Sequence, residues 1–314
     1  MYNPVMRGIF PAAVFLYFSL IHPSRATPEQ IPPHYVDTVV ALGSNVAPAP
    51  GQPAVWTTEA SGFLYGFPMD EEADLTKHKY RLFLVTNRHV LSNRDEISIK
   101  INAEDEASPV GEFVLKLKDE HGANVFVSHP DPSVDVSVIQ LNGELLRSQH
   151  LKSAFFASDK FVADRTKMKE IGTSIGDGVY VLGFPMGISG TLLRNYVIAR
   201  RGSIARISDA LNLSAKTFLI DAFVFPGNSG GPVVSAINVI ALAGTKAQSS
   251  TYLIGMVKSY VPYDDVAFSR QTGRPRLVSE ENSGLAEVIP VDYINETIAL
   301  ALRAGPRSNS AQTP

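Results

Sequence analysis

The stretch Phe225-Pro226-Gly227-Asn228-Ser229-Gly230-Gly231-Pro232-Val233 packs three glycines around one serine. Glycine lets the backbone turn tightly, and such a turn leaves N–H groups facing one point outside it. Stabilising a tetrahedral intermediate requires donors fixed where the negative oxygen develops. The amides of Gly227 and Ser229 are the candidate oxyanion-hole donors. A glycine-rich turn alone also suits any tight hairpin, so the reading rests on what accompanies the serine.

A serine hydroxyl is a weak nucleophile and needs a base, with a further group to orient that base. His89 stands where the apolar run Phe83-Leu84-Val85-Thr86 gives way to polar residues. Asp135 opens Asp135-Val136-Ser137-Val138-Ile139-Gln140-Leu141, a carboxylate at the mouth of an apolar strand. Asp131 competes for the acid role, but it precedes Pro132 in a turn-like stretch and is expected to be solvated. His121 and His129 are expected at the surface nearby, and Asp221, which ends an apolar strand, is expected to be structural.

The composition removes several classes of chemistry. There is no cysteine, which excludes disulfide scaffolds, Cys-ligated metals and thiol catalysis. Twenty-eight basic against 31 acidic residues give a formal charge of −3, so nucleic acid is not an expected partner. Apolar residues at 45% and charged residues at 19% indicate a globular chain with a sizeable core. No metal or organic cofactor is called for. Asp70-Glu71-Glu72-Ala73-Asp74 is acidic, but its spacing fits no calcium loop.

The chain divides by pattern. Residues 1–26 read as a signal peptide: Arg7, then an apolar run from Ile9 to Ile21, then small residues before a cut after Ala26. The 13-residue run is too short for a helical membrane span, and the mature chain is expected to hold none. An exported chain without disulfides points to a bacterial periplasm or exterior. Short β-branched runs broken by Gly, Pro, Asn and Asp then fall into two groups of about six strands, with no helical crossovers. The expected organisation is a first barrel over 27–145, a linker over 146–170, a second barrel over 171–290, a helix over 291–303 and a disordered tail over 304–314. Pro262 to Ser283 shows no periodicity and is expected to be a long loop.

Taken together, the boxes Thr86-Asn87-Arg88-His89-Val90, Asp135-Val136-Ser137-Val138, Gly227-Asn228-Ser229-Gly230-Gly231-Pro232 and Gly284-Leu285-Ala286-Glu287-Val288-Ile289-Pro290 resemble those of the trypsin-like, chymotrypsin-fold serine peptidases. The order His, Asp, Ser is the chymotrypsin order. Ser61-Gly62-Phe63-Leu64 and Val181-Leu182-Gly183-Phe184-Pro185 add weaker matches, and the likeness is strongest to the bacterial HtrA (Deg) proteases. The resemblance implies an all-β fold of two six-stranded antiparallel barrels with a C-terminal helix. It implies Ser229 as nucleophile, His89 as base and Asp135 as its orienting acid, acting on protein or peptide substrates. Asn228 replaces the aspartate that trypsin keeps before its nucleophile, so activation by a new N-terminus is not expected. With 24 residues following Pro290, a PDZ domain is not expected. Phe223, Val224 and Phe225 occupy the positions of the pocket floor, and an apolar floor disfavours Lys or Arg at P1. The same site could also serve an esterase, and the same fold a catalytically silent peptide-binding module.

Overall fold

The structure, a computed structural model, describes residues 30–69, 74, 77–191, 193–239 and 245–305. The signal-peptide region, most of the acidic run at 70–74 and nearly all of the tail lie outside these residues.

Eight strands form the first half: β1 Val39–Val46, β2 Val55–Pro68, β3 Tyr80–Thr86, β4 Glu96–Ile101, β5 Gly111–Lys116, β6 Val127–Ser128, β7 Ser137–Leu141 and β8 Phe156–Ala157. Their order is β5-β4-β1-β2-β3-β7-β6, with β8 running parallel beside β2. The first half is thus a curled sheet that stays open, where a closed six-stranded barrel is the sequence expectation. Six strands form the second half: β9 Gly178–Gly183, β10 Ile198–Arg206, β11 Phe218–Asp221, β12 Pro232–Ser235, β13 Leu253–Phe268 and β14 Pro275–Pro290. They close as β10-β11-β14-β13-β12-β9. The mostly-β double-barrel architecture, a half-barrel and a closed six-stranded barrel followed by a terminal helix, Val291–Ala304, otherwise follows the expectation.

Alternation along the strands explains why the halves hold together. In β3, Leu82 and Leu84 enter the core of the first half, while Phe83 and Val85 face the other way. In β9, Val179 and Val181 fill the second barrel, while Tyr180 and Leu182 face outward. The outward sets meet in a third core with Phe63, Val234, Met256 and Ile289, capped by Ile294 and Ile298 of the terminal helix. Such strands are buried on both faces, hence their near-continuous apolar runs. The linker is stitched into this core, since β8 pairs with β2 and Phe156 packs 4.8 Å from the Tyr35 ring.

One element departs from the sequence reading. Residues 262–283 form a hairpin arm that continues β13 and β14, not a loop. Both faces of the arm meet solvent, so no alternation marks it in the sequence. Its turn places Gly273 at φ +66 and closes through Ser269 N–H to Arg274 O, 2.9 Å.

Candidate active site

Three local structures converge on the seam between the halves. β3 ends at Thr86, and a short helix over Arg88–Leu91 follows, carrying His89. Its approach is pinned from the side of Asp135: the Asn87 side-chain amide donates to the Asp135 carbonyl at 2.9 Å. The Arg88 guanidinium donates to the carbonyls of His129 and Asp131. These bonds hold the 129–135 segment beside the helix and bring a carboxylate, 46 residues away in sequence, onto the imidazole.

Asp135 grips His89 twice. One carboxylate oxygen accepts the His89 backbone N–H at 3.0 Å, and the other lies 2.6 Å from Nδ1. An ionised carboxylate only accepts, so Nδ1 carries the proton and the neutral ring keeps a lone pair on Nε2. Burial pushes the Asp135 carboxyl up. The bonds and charge from His89, with the backbone N–H groups of His89 and Arg88, outweigh that and hold it below the ordinary carboxylate range. Asp131 does not reach the imidazole. Its carboxylate is bound to Lys216 and to Ser133, which hold it far below the usual value.

The Ser229 turn is fixed carbonyl by carbonyl. Pro226 O accepts from Met186 N at 2.6 Å, and Gly227 O from Ser61 Oγ at 2.6 Å. Asn228 O accepts from Gly231 N at 2.8 Å, and Ser229 O from Ser61 N at 2.9 Å. In a trans peptide the carbonyl and the following N–H point in opposite directions. Tying Pro226 O and Asn228 O to the protein therefore turns the Gly227 and Ser229 N–H groups away from those anchors. Among the described residues neither amide has an acceptor. Gly230 shows why this turn admits no side chain: at φ +79, a Cβ would lie 2.2 Å from Ser61 O and 2.3 Å from Thr86 Oγ1.

Among the described residues Ser229 Oγ makes no hydrogen bond, so only the His–Asp link of the three is closed here. Serine and histidine are nonetheless on one framework. Thr86 Oγ1 donates to Ser61 O at 2.9 Å, three residues before His89, while Ser61 N and Oγ hold Ser229 and Gly227. Ser61 is the site residue whose role the sequence left unread. Its signal was a hydroxyl inside the apolar run Ala60 to Phe67.

The residues of the expected pocket floor separate by alternation. Val224 is buried in the core of the second barrel, and its carbonyl accepts from Asn282. Phe223 and Phe225 lie on the opposite face with near-parallel rings, centroids 6.5 Å apart. Phe223 is 52% exposed. The Arg200 guanidinium lies 5.2 Å from the Phe225 centroid. Met256 and Val257 are buried, and Val257 ties β13 to the turn through Gly230 and Gly231. His129 is buried, not at the surface: its Nδ1 accepts from Asp131 N, so Nε2 donates to Glu296 at 3.0 Å. His121 is exposed, and so is Asp221.

The family model of the trypsin-like peptidase domain matches residues 60–242, more than half of the chain. The chain belongs to that family. The match takes in His89, Asp135 and Ser229, so the three converging structures of this trypsin-like peptidase lie inside the recognised domain. Similar solved structures include the HtrA-type protease AlgW with a decapeptide, at 18% identity and TM-score 0.46, covering 86% of this chain and 66% of that one. The MamO protease domain from Magnetospirillum magneticum is 15% identical with TM-score 0.43, covering 84% and 96%. An inactive mutant form of Rv3671c from M. tuberculosis H37Rv is 17% identical with TM-score 0.42, covering 87% and 91%. The chain thus spans 66% of the AlgW chain's length. No curated protein matches the sequence. No helix among the described residues is long and apolar enough to cross a membrane.

Proposed function

We propose that this trypsin-like peptidase is an exported serine endopeptidase in which Ser229, His89 and Asp135 form the triad. The observation that carries the reading is the pair of hydrogen bonds from His89 to Asp135, on the same framework that holds the Ser229 turn. Substrate binding brings Ser229 Oγ onto His89 Nε2, a contact that is often long in a free enzyme. Oγ attacks the scissile carbonyl carbon as its proton passes to Nε2. The carbonyl oxygen becomes an oxyanion and takes the N–H groups of Gly227 and Ser229. Asp135 stays ionised and stabilises the imidazolium. Collapse breaks the C–N bond, with the Nε2 proton going to the leaving amine. Water, deprotonated by His89, then hydrolyses the acyl-enzyme and frees Ser229. This chemistry needs no metal or organic cofactor.

Peptide substrates are the class proposed, with apolar P1 side chains set against Phe223 and Phe225. A Lys or Arg at P1 would meet the Arg200 cation already seated over the Phe225 ring, a like-charge encounter that disfavours it. The signal over residues 1–26 places the enzyme in a bacterial periplasm or outside the cell.

Purified protein is expected to label with a fluorophosphonate probe and to cleave casein or members of a peptide library after apolar residues. Ser229→Ala should abolish labelling and lower cleavage by at least about a thousandfold; labelling that survives it rules out Ser229 as the nucleophile. Labelling without cleavage of any peptide would favour the esterase reading, and neither activity would favour a silent peptide-binding module. Phe223→Asp should shift library preference toward Lys and Arg, whereas an unchanged profile would remove Phe223 from the pocket.

A further inference from the structure

His89 meets its carboxylate on a loop, and that loop is built around a second histidine. β6 and β7 close it at the neck: Ser128 pairs with Ser137, and the His129 N–H donates to Val136 O at 3.1 Å. Residues 129–136 then carry Asp135 out to the imidazole. Loops move more readily than the strands that hold them, so what fixes this one decides how well Asp135 is aimed. His129 is 8% exposed and engages all its polar groups. Its carbonyl accepts from the guanidinium of Arg88, the neighbour of His89 in sequence. Its Nδ1 accepts the Asp131 N–H at 3.1 Å, inside the loop. Its Nε2–H donates to Glu296 on the terminal helix at 3.0 Å, and its ring meets the Tyr293 ring edge-on at 5.4 Å. Tyr293 is covered in turn by Arg165, whose guanidinium lies 4.6 Å from the ring centroid.

The ties on the loop differ in what they can hold. Asn87 and Arg88 move with His89, so their bonds to His129, Asp131 and Asp135 join the loop to its target without fixing either against the rest of the protein. Lys216 reaches Asp131 and Ser133 from the second half, but its side chain is half-exposed, and ion pairs so solvated contribute little. The terminal helix gives a firmer hold. Val291, Ile294 and Ile298 bury it in the core shared by both halves, and an element packed in that way is a rigid mount. Glu296 carries that rigidity to the buried imidazole, and Nδ1 on the other side of the ring passes it to Asp131.

We propose that His129 is a positioning residue for the reaction: anchored to the terminal helix through Glu296, it sets the loop that presents Asp135 to His89. The inference deepens the proposed triad and rests on it. Without the imidazole, the Asp131 N–H loses its acceptor and the loop is cut from the helix. Asp135 then wanders about its place, and its contacts with the His89 ring and backbone N–H loosen. The imidazole of His89 is held in one orientation by those contacts, so the loss reaches the group that takes the serine proton. Misplacing a reacting group by about 1 Å can slow a reaction by about a hundredfold.

Fluorophosphonate labelling rates, peptide kcat and KM, and carboxyl NMR of Asp135 test it, with far-UV circular dichroism as the check on folding. His129→Ala should slow labelling and lower kcat about ten- to a hundredfold while KM changes little. Its Asp135 carboxyl should titrate higher than in wild type, because the bonds and charge from His89 that lower it act from further away. Glu296→Ala should slow labelling about two- to tenfold, whereas Glu296→Gln, which still accepts from Nε2, should stay near wild type. In a His129→Ala background Glu296→Ala should add nothing, since its effect runs through the ring. Ile220→Ala, in the core of the second barrel, is the control: it should lower stability and leave both the labelling rate and the Asp135 titration in place. A folded His129→Ala protein that labels at the wild-type rate, or one whose Asp135 carboxyl has not moved, would overturn the proposal. So would a Glu296→Ala effect that persists in full without His129. If wild type itself does not label, the triad reading fails, and the Asp135 titration still decides whether His129 holds the carboxylate in place.

Discussion

His89 and Asp135 fix each other's ionic form, and the sign of that coupling can be read from their surroundings. Burial alone would raise the Asp135 carboxyl, yet His89 and the backbone N–H groups bring it below the ordinary range. A carboxyl lowered by folding contributes stability above its unfolded value, about 3.9, and loses that contribution as pH falls through its folded value. His89→Ala takes away the ring bond and the charge but leaves much of the burial. The Asp135 carboxyl should therefore titrate below the usual range in wild type and move upward in His89→Ala, as followed by carboxyl NMR. The stability gap due to Asp135 should be present at neutral pH and close as pH falls through its lowered folded value. An Asp135 that titrates identically in both proteins would show that the short contact with Nδ1 carries no energetic coupling.

At the scale of elements, β2 does more than complete the first sheet. Ser61 is fully buried, and its hydroxyl both donates to Gly227 O and accepts from Phe184 N at 3.0 Å. Ser61→Ala leaves a carbonyl and an N–H unpaired in the seam, at a cost of about 1–3 kcal/mol for each group. We expect a lower melting temperature and, at temperatures where the variant is folded, at least about tenfold slower fluorophosphonate labelling. Labelling at the wild-type rate would mean that the turn holds its shape without the hydroxyl. This bridge also marks the limit of what was legible in the sequence. Strands with one or two buried faces announced themselves through β-branched runs, and the serine, histidine and aspartate boxes through residue type and order. That Asp131 would turn to other partners was readable in part, because a residue before Pro132 in a turn meets Ser133 locally, while its contact with Lys216 was not. Three things were hidden, each because it depends on a partner distant in sequence. Ser61 looks like an accident in an apolar run until the Gly227 carbonyl is placed beside it. His129 looks like a surface residue until Glu296 of the terminal helix reaches it. The 262–283 arm carries no alternation because nothing covers either face.

For the whole molecule, the decisive feature is that the core between the halves is as continuous as the core within each. Phe63, Phe83 and Val85 from the first sheet, Leu182, Val234 and Met256 from the second barrel, and Ile294 and Ile298 from the terminal helix share one cluster. Polar ties run the same way: the Tyr65 hydroxyl donates to Asn295 at 2.6 Å, and Asp292 accepts the Arg165 backbone N–H at 3.1 Å. With no disulfide available, this shared burial has to couple the halves, and two folding units joined by so much apolar surface should unfold as one. The chain offers a clean probe, because its single tryptophan, Trp56, lies on β2 in the first half. Ile220 lies on β11, fully buried inside the second barrel and outside the shared cluster. Ile220→Ala should cost about 2–5 kcal/mol by cavity formation, a loss that begins wholly within the second half. If the shared core couples the halves, the denaturant midpoint followed by Trp56 fluorescence will fall together with the midpoint from far-UV circular dichroism. If the first sheet is an independent unit, the Trp56 curve will stay where it is in wild type while the dichroism curve splits into two steps. Coincident curves are the expected result, because separating the halves would expose Phe63, Phe83, Leu182 and Met256 to water at once, and neither half has another surface on which to bury them.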